Sequence, residues 1–178
     1  MSQINRLTGN QADSNHNLMS HNPLPVHLIE ITSRQKAMVV DYQAMRGIVS
    51  QMLSRLGYSR AEISIQLVDN SSIASLNQSR LGHEGATDII TFPLSPPDAK
   101  VLEGELVISA EWAKETAQAN GDSLHDELAL YLAHGLLHLA GQDDIARADA
   151  REMRFREFQL LTSLGITPPK NRFGEWQE

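Results

Sequence analysis

The chain has 178 residues, no cysteine and a formal net charge of -7. A chain of this length can bury one sizeable core, so a single domain is expected. The lack of cysteine excludes disulfides and thiolate metal ligands, which leaves histidine and carboxylate groups to hold any metal. The acidic balance argues against indiscriminate nucleic-acid binding, because Lys and Arg normally neutralise phosphate, but it permits a local basic cleft.

The two ends of the chain differ from its middle. Residues 1–25 are rich in Asn, Gln, Ser and His and poor in apolar side chains, so a disordered N-terminal tail is predicted. Residues 26–165 are expected to form the domain, and residues 166–178 a C-terminal tail. No signal peptide and no apolar run of about 18 residues is found, so we expect a cytoplasmic protein without membrane contact.

Hydrophobic periodicity predicts an alternation of strands and helices in the domain. Strands are expected at residues 26–31, 63–67, 88–92 and 104–109. Helices are expected at residues 38–56, 71–78, 110–120, 124–140 and 147–164. The methionines of the first predicted helix lie at core spacing. Together these elements predict an α+β fold, with a small, mostly parallel four-stranded sheet packed with about five helices.

The sequence HGLLHLAGQDD contains the strongest chemical signal, in His134, His138, Gly141 and Asp144. Residues four apart on a helix share one face, so the two imidazoles can point at the same place. A glycine after the helix allows the chain to fold back and bring Asp144 to them. Three ligands with one open position are typical of a catalytic zinc site, which predicts a hydrolase with one Zn²⁺ per chain.

A simpler interpretation is a buried helix, because Leu128, Leu132, Leu136 and Leu139 occupy the same stretch. A single histidine in such a helix is more often a hydrogen-bonded core residue than a ligand. Two histidines with a glycine and an acid at fixed offsets would be costly to bury without a metal. The spacing therefore favours metal binding.

Residues 134–144 resemble the signature HGxLHLxGYDH of the bacterial YbeY family of endoribonucleases. The similarity extends without gaps from about Leu76 to Glu157. It includes Leu76, Asn77, residues 87–93 (TDIITFP, similar to TDVLSFP), residues 104–109 (GELVIS, similar to GxxxIS), Met153 and Glu157. The resemblance implies metal-dependent cleavage of single-stranded RNA, in maturation of ribosomal RNA, notably that of the small subunit, and in ribosome quality control. The implied partners are RNA and the small ribosomal subunit.

Two departures from the family pattern affect the site. The third metal ligand of the family is usually histidine, and Asp144 stands there; a carboxylate is also an accepted zinc ligand, but it makes the metal a weaker Lewis acid. The catalytic arginine of the family falls on Leu81, whereas this chain has Arg80 one position earlier. A guanidinium suits bidentate phosphate contact, so Arg80 is the candidate catalytic residue, with a solvated surface arginine as the alternative and His83 as a weaker candidate.

Other interpretations follow from single residues. Loss of the family arginine at Leu81 is compatible with a non-catalytic, metal-binding ribosome assembly factor. The motif also has the ligand offsets of zinc metallopeptidases, but Gly135 stands where those enzymes carry their general base. Arg147, Arg151 and Arg154 could form a basic stripe for RNA, although a solvated helix face with local ion pairs is the favoured interpretation. No pattern indicates an oligomeric state.

Overall fold

The computed structural model describes residues 25–173 of the chain. Four strands form one sheet: β1 (Val26–Ser33), β2 (Arg60–Val68), β3 (Ile89–Pro93) and β4 (Leu102–Ser109). Their order is β1-β2-β4-β3, in which β1, β2 and β4 are parallel and β3 pairs antiparallel with β4 at the edge. The predicted mostly parallel sheet is confirmed.

Five longer helices and one short helix accompany the sheet in the described residues. They are α1 (Tyr42–Arg55), α2 (Asn70–Leu81), α3 (Ala110–Asn120), α4 (Leu124–Leu139), α5 (Arg147–Ser163) and α6 (Lys170–Phe173). The predicted α+β class is therefore confirmed. The helix expected from residue 38 begins later, because the Asp41 carboxylate accepts a hydrogen bond from the Ala44 amide and caps the helix there.

Helix α4 is the central helix of the fold and lies against β3, β4, α1, α3 and α5. Eleven of its sixteen residues are buried, most of them leucine or alanine. Gly135 allows the helix to approach the sheet closely, since a Cβ there would lie 2.6 Å from Ile89 Cδ1 and 2.9 Å from Leu106 Cδ2. No helix in the described part of the chain is both long and apolar enough to cross a membrane.

The core continues beyond residue 165, where the sequence analysis ended the domain. Gly165, with φ +71°, ends the turn after α5, but the chain then folds back onto the molecule. Ile166 and Phe173 are buried, and the Phe173 ring lies 5.8 Å from that of Phe158. The glycine and the prolines after α5 end the helix, but the chain that follows them still packs against the core. The core therefore extends at least to Phe173. Except for Pro25, the predicted N-terminal tail lies outside the described residues.

Candidate metal centre

His134 and His138 lie one turn apart on the same face of α4, as their spacing predicted. Their Nε2 atoms are 3.0 Å apart, and both rings are largely shielded from solvent. The two imidazoles therefore meet at one point on the edge of the core, where the apolar face of α4 ends.

A tight turn after α4 brings the third group to this point. Gly141 has φ +87°, and its amide donates to the His138 carbonyl at 2.9 Å. The chain then reverses, and the Asp144 carboxylate lies 3.6 Å from His138 Nε2 and 4.0 Å from His134 Nε2. One donor atom from each of His134, His138 and Asp144 lies within 4.8 Å of the others. The predicted three-residue group is thus brought together.

The second nitrogen of each imidazole is held by a hydrogen-bond acceptor. His138 Nδ1 lies 3.0 Å from the Gln142 carbonyl, and His134 Nδ1 lies 2.6 Å from Glu157 Oε1. A carbonyl and a carboxylate can only accept, so both Nδ1 atoms carry the hydrogen, and in neutral rings this leaves a lone pair on each Nε2 atom. Two lone pairs repel each other at 3.0 Å, and a cation between them removes that repulsion.

The donor set fits a zinc ion. Two ligands at about 2.0–2.1 Å from a tetrahedral zinc lie roughly 3.3 Å from each other, which is close to the Nε2 separation of 3.0 Å. The Asp144 carboxylate is slightly further out and is partly exposed, so it can close on an ion by a small movement. Two imidazoles, one carboxylate and an open side are the arrangement of a catalytic rather than a structural zinc site.

Glu157 is fully buried, and it links His134 to a basic residue. Arg172 donates to its carboxylate through Nε and Nη2, both at 3.1 Å. Sequence comparison matched Glu157 to the family pattern without assigning a role, and Arg172 was placed in a tail. The sequence does mark Glu157, because it is a charged residue on the apolar face of α5, which also carries Met153, Leu160 and Leu161. Arg172 has no comparable local signal.

A cleft of about 440 Å³ opens beside Asp144 and is lined by Ala150, Arg154 and Arg172. Arg154 is therefore separated in position from the rest of the predicted basic stripe, because Arg147 and Arg151 line a different groove. The sequence also allows two local ion pairs on this helix face, Glu152 with Arg156 and Glu157 with Arg154. The first is present, with Glu152 accepting from Arg156 at 2.8 Å. The second is absent, because Glu157 pairs with Arg172 instead.

Arg80 lies in the last turn of α2 and is exposed. The helix stays regular to Leu81 and ends in Gly82, with φ +72°, so no backbone shift moves Arg80 into the place of Leu81. The loop that follows is anchored by the buried Asn77, whose amide donates to the Gly85 carbonyl at 3.0 Å. Among the described residues, the cleft beside Asp144 is lined by other arginines and not by Arg80.

The residue after His134 faces away from the metal group. Gly135 is buried against Ile89 and Leu106, and a larger side chain there would enter the sheet. A general base at this position is therefore excluded by packing as well as by residue type, which argues against the peptidase alternative.

Comparison with known proteins identifies relatives of this chain. The model of the family described as "Endoribonuclease YbeY" matches residues 30–165. The protein named Endoribonuclease YbeY from Anaeromyxobacter dehalogenans is 36% identical over 148 residues, which are 83% of this chain and 77% of that protein. Its namesake from Alkaliphilus metalliredigens is 33% identical over 153 residues, covering 80% and 98% of the two chains.

The fold is also similar to a solved structure. The solution structure of the Thermotoga maritima protein TM1509 superposes with a TM-score of 0.56 and covers 84% of this chain and 92% of that one. Its sequence identity is 24%, so this likeness shows the shared fold alone. The match of the family model over most of the chain, together with relatives above 30% identity, shows that the chain belongs to the YbeY family of endoribonucleases.

Proposed function

We propose that this protein is a metal-dependent endoribonuclease that cleaves single-stranded RNA in ribosomal RNA maturation, notably of the small subunit, and in ribosome quality control. The observation that carries the proposal is the group of His134, His138 and Asp144, which opens on a cleft lined by two arginines. A metal with an accessible position beside a basic cleft is an arrangement that supports phosphodiester hydrolysis.

His134, His138 and Asp144 would hold the ion, which we propose to be Zn²⁺ at one per chain. A bound zinc ion would supply a Lewis acid that lowers the pKa of water. The protein contributes the orientation of the ligands, because Glu157 and the Gln142 carbonyl fix the imidazole rings. Asp144 adds a negative charge that a third histidine would not, which favours the retention of the ion.

Positive charge for the phosphate would come from arginine side chains. Arg154 and Arg172 line the cleft next to Asp144 and can contact the RNA backbone there. Arg80 is proposed as the catalytic cation, because it lies one position from the place of the family arginine, carries a guanidinium and is exposed to solvent. A guanidinium in this role would stabilise the charge that develops on the phosphoryl oxygens.

Cleavage of defined RNAs tests this function. The purified protein is incubated with a single-stranded RNA and with the same sequence as a duplex, before and after treatment with a chelator. We expect cleavage of the single strand, its loss with chelator and its return with added zinc. An Asp144→Asn variant should be inactive, whereas an exposed control, Asp149→Asn on α5, should cut as the wild type does. Cleavage that resists the chelator would contradict the proposal.

A second candidate is a ribosome assembly factor that binds metal but does not cleave RNA. Leu81 is the observation that favours it, since an exposed leucine at the end of α2 occupies the place of the family arginine. A Leu81→Arg variant separates the two. A large gain in cleavage would mean that the arginine function was lost in this chain. No change, in a wild-type protein that already cleaves RNA, would mean that Arg80 or another group supplies that function.

A further inference from the structure

The last described turn of the chain is anchored against the core. After α5 the chain folds back, and both Pro168 and Pro169 are buried. The amides of Arg172 and Phe173 donate to the Pro169 carbonyl, each at 3.2 Å. Phe173 is fully buried and packs near Phe158 of α5. This anchor holds Arg172 in a defined place, although the residue lies beyond the segment that the family model matches.

In this position Arg172 forms hydrogen bonds with a buried carboxylate. Its Nε and Nη2 atoms each lie 3.1 Å from a different oxygen of Glu157, which is the fork geometry of a bidentate pair. Glu157 Oε1 in turn accepts from His134 Nδ1 at 2.6 Å. The three side chains form a continuous chain of contacts that leads from the C-terminal turn to the first metal ligand.

Arg172 fixes the orientation of the Glu157 carboxylate. Its two hydrogen bonds engage both carboxylate oxygens, and Oε1 is thereby held against His134 Nδ1. Without this anchor the carboxylate could rotate away from the His134 Nδ1 hydrogen, and the ring would lose its orientation. Within residues 25–173, Arg172 is the only cationic side chain of Lys or Arg type hydrogen-bonded to Glu157.

The charge of Arg172 also reaches a second buried carboxylate. Glu127 lies two turns before His134 on the same face of α4 and is 2% exposed. Burial raises its pKa, whereas a hydrogen bond with Tyr131 and, to a smaller extent, the positive charge of Arg172 act in the opposite direction. Arg172 therefore lies close enough to the helix that carries the metal ligands for its charge to act on more than one buried acid.

We propose that Arg172 is a positioning residue for the metal centre: through Glu157 it holds His134 in the orientation that binds the ion, so the C-terminal turn is part of the site. The inference rests on the metal site of the proposed function. The positioning role requires no direct contact between Arg172 and the metal. It is distinct from the contact with an RNA phosphate that the exposed edge of Arg172 can make in the cleft.

Metal affinity, measured without RNA, tests the proposal on the full chain. Zinc affinity is obtained by competition with a chromophoric chelator, and the coordination sphere is monitored by the visible absorption of the Co²⁺-substituted protein. The variants are Arg172→Gln and Arg172→Lys, with Arg154→Gln as the matched control, because Arg154 lines the same cleft but does not bond to Glu157. Thermal unfolding of each metal-free variant is measured in parallel.

We expect Arg172→Gln to weaken zinc binding by about 10-fold or more, as loss of groups behind metal ligands typically does, and to alter the cobalt spectrum. Arg172→Lys should lie between this variant and the wild type, because it keeps the charge but loses the fork. The zinc affinity of Arg154→Gln should stay within about twofold of the wild-type value, since this substitution changes only a distant charge.

The proposal would be overturned if Arg172→Gln kept the zinc affinity and the cobalt spectrum of the wild type. This holds even if the melting temperature of the variant falls, because lower stability with unchanged metal binding means that Arg172 has a structural role alone. If Arg172→Gln does not fold, Arg172→Lys decides in the same way: weaker binding supports the proposal and wild-type affinity overturns it. If the wild-type protein binds neither metal, the metal site of the proposed function fails, and the inference fails with it.

Discussion

His134 and Glu157 are joined across two helices by the 2.6 Å contact between Nδ1 and Oε1, and the glutamate is fully buried. Replacing Glu157 by Gln keeps the size but removes the charge that both His134 and Arg172 use. We expect zinc affinity to fall by about 10- to 100-fold. The free energy of unfolding should fall by about 1–3 kcal/mol, because the hydrogen bonds from His134 and Arg172 lose their charged acceptor.

Glu152 is a matched control for this substitution, since it lies on the same helix and pairs with Arg156 at the surface. Glu152→Gln should change stability by less than about 1 kcal/mol and should leave zinc affinity unchanged. Chelator competition and denaturant unfolding measure the two quantities. Equal effects of the two substitutions would refute the role given to Glu157.

Gly141→Ala should disturb both stability and metal binding. Gly141 has φ +87°, and an added Cβ would lie 2.5 Å from Pro97 Cβ. The left-handed conformation costs an L-residue about 1–2 kcal/mol, and the overlap with a rigid proline ring adds roughly 1–3 kcal/mol. Because the same turn delivers Asp144, zinc affinity should also fall.

Gly121→Ala is the control for the turn, because it has φ +71° and no atom within 4 Å of the added Cβ. Its free energy of unfolding should fall by about 1–2 kcal/mol, from the backbone conformation alone, and its zinc affinity should equal that of the wild type. Urea unfolding of the two variants compares them. A Gly141→Ala variant no less stable than Gly121→Ala would show that Pro97 yields freely to the new side chain.

Glu127 gives the protein a pH dependence of stability. Burial raises the pKa of this carboxyl, with further contributions from Asp122 and Asp88, while the Tyr131 hydroxyl and Arg172 act against the shift. A raised folded-state pKa stabilises the protein below the ordinary carboxyl pKa, and that contribution is lost as pH rises through the folded-state value. Glu127→Gln should therefore be more stable than the wild type at neutral pH.

The advantage of Glu127→Gln should shrink as the pH is lowered toward the ordinary glutamate pKa of 4.5. Denaturant unfolding of both proteins across this interval measures the effect. A difference in stability that does not change with pH would mean that the carboxyl titrates alike in the folded and unfolded chains.

RNA affinity should fall as salt concentration rises, because contacts to the backbone release counterions. If Arg154 contacts one phosphate, Arg154→Gln should reduce the slope of log K against log salt by about 0.7. Arg156→Gln is the control, since Arg156 is already paired with Glu152. Fluorescence anisotropy with a short single-stranded RNA measures both slopes. The titrations are done once with Ca²⁺ present and once with chelator present. An unchanged slope for Arg154→Gln would remove Arg154 from the RNA-binding surface.

A Gly135→Glu variant creates the HExxH sequence of zinc peptidases, yet it should not gain peptidase activity. The new side chain would point at Ile89 and Leu106 and not at the metal group. Because a buried, unpaired carboxylate in the sheet is costly, the variant should be less stable by several kcal/mol or fail to fold. Hydrolysis of a fluorogenic peptide by a folded Gly135→Glu protein would contradict this.

The sequence was sufficient where chemistry depended on local spacing. The helical interval of His134 and His138 and the glycine at Gly141 predicted both the meeting of the imidazoles and the return of the chain with Asp144. Alternating apolar residues predicted β2 and β4, whose side chains are buried as expected. These features depend on neighbours within about ten residues, so periodicity reveals them.

The sequence was not sufficient where contacts join distant parts of the chain. The pairing of Glu157 with Arg172 depends on the fold of the segment after Gly165, and two prolines there suggested an unpacked tail. Burial of Phe173 reverses that expectation, because a single large apolar side chain anchors the turn. The place of Arg80 relative to the metal group likewise depends on the packing of α2, which local propensity does not determine.

His134, His138 and Asp144 are expected to hold one metal ion, and elemental analysis of purified protein measures that ion. The wild type is compared with the His134→Ala, His138→Ala and Asp144→Ala variants. We expect about one zinc ion per wild-type chain and a large loss in each variant, because three ligands leave little redundancy. A wild-type protein without metal, or an Asp144→Ala variant that retains full zinc, would contradict it.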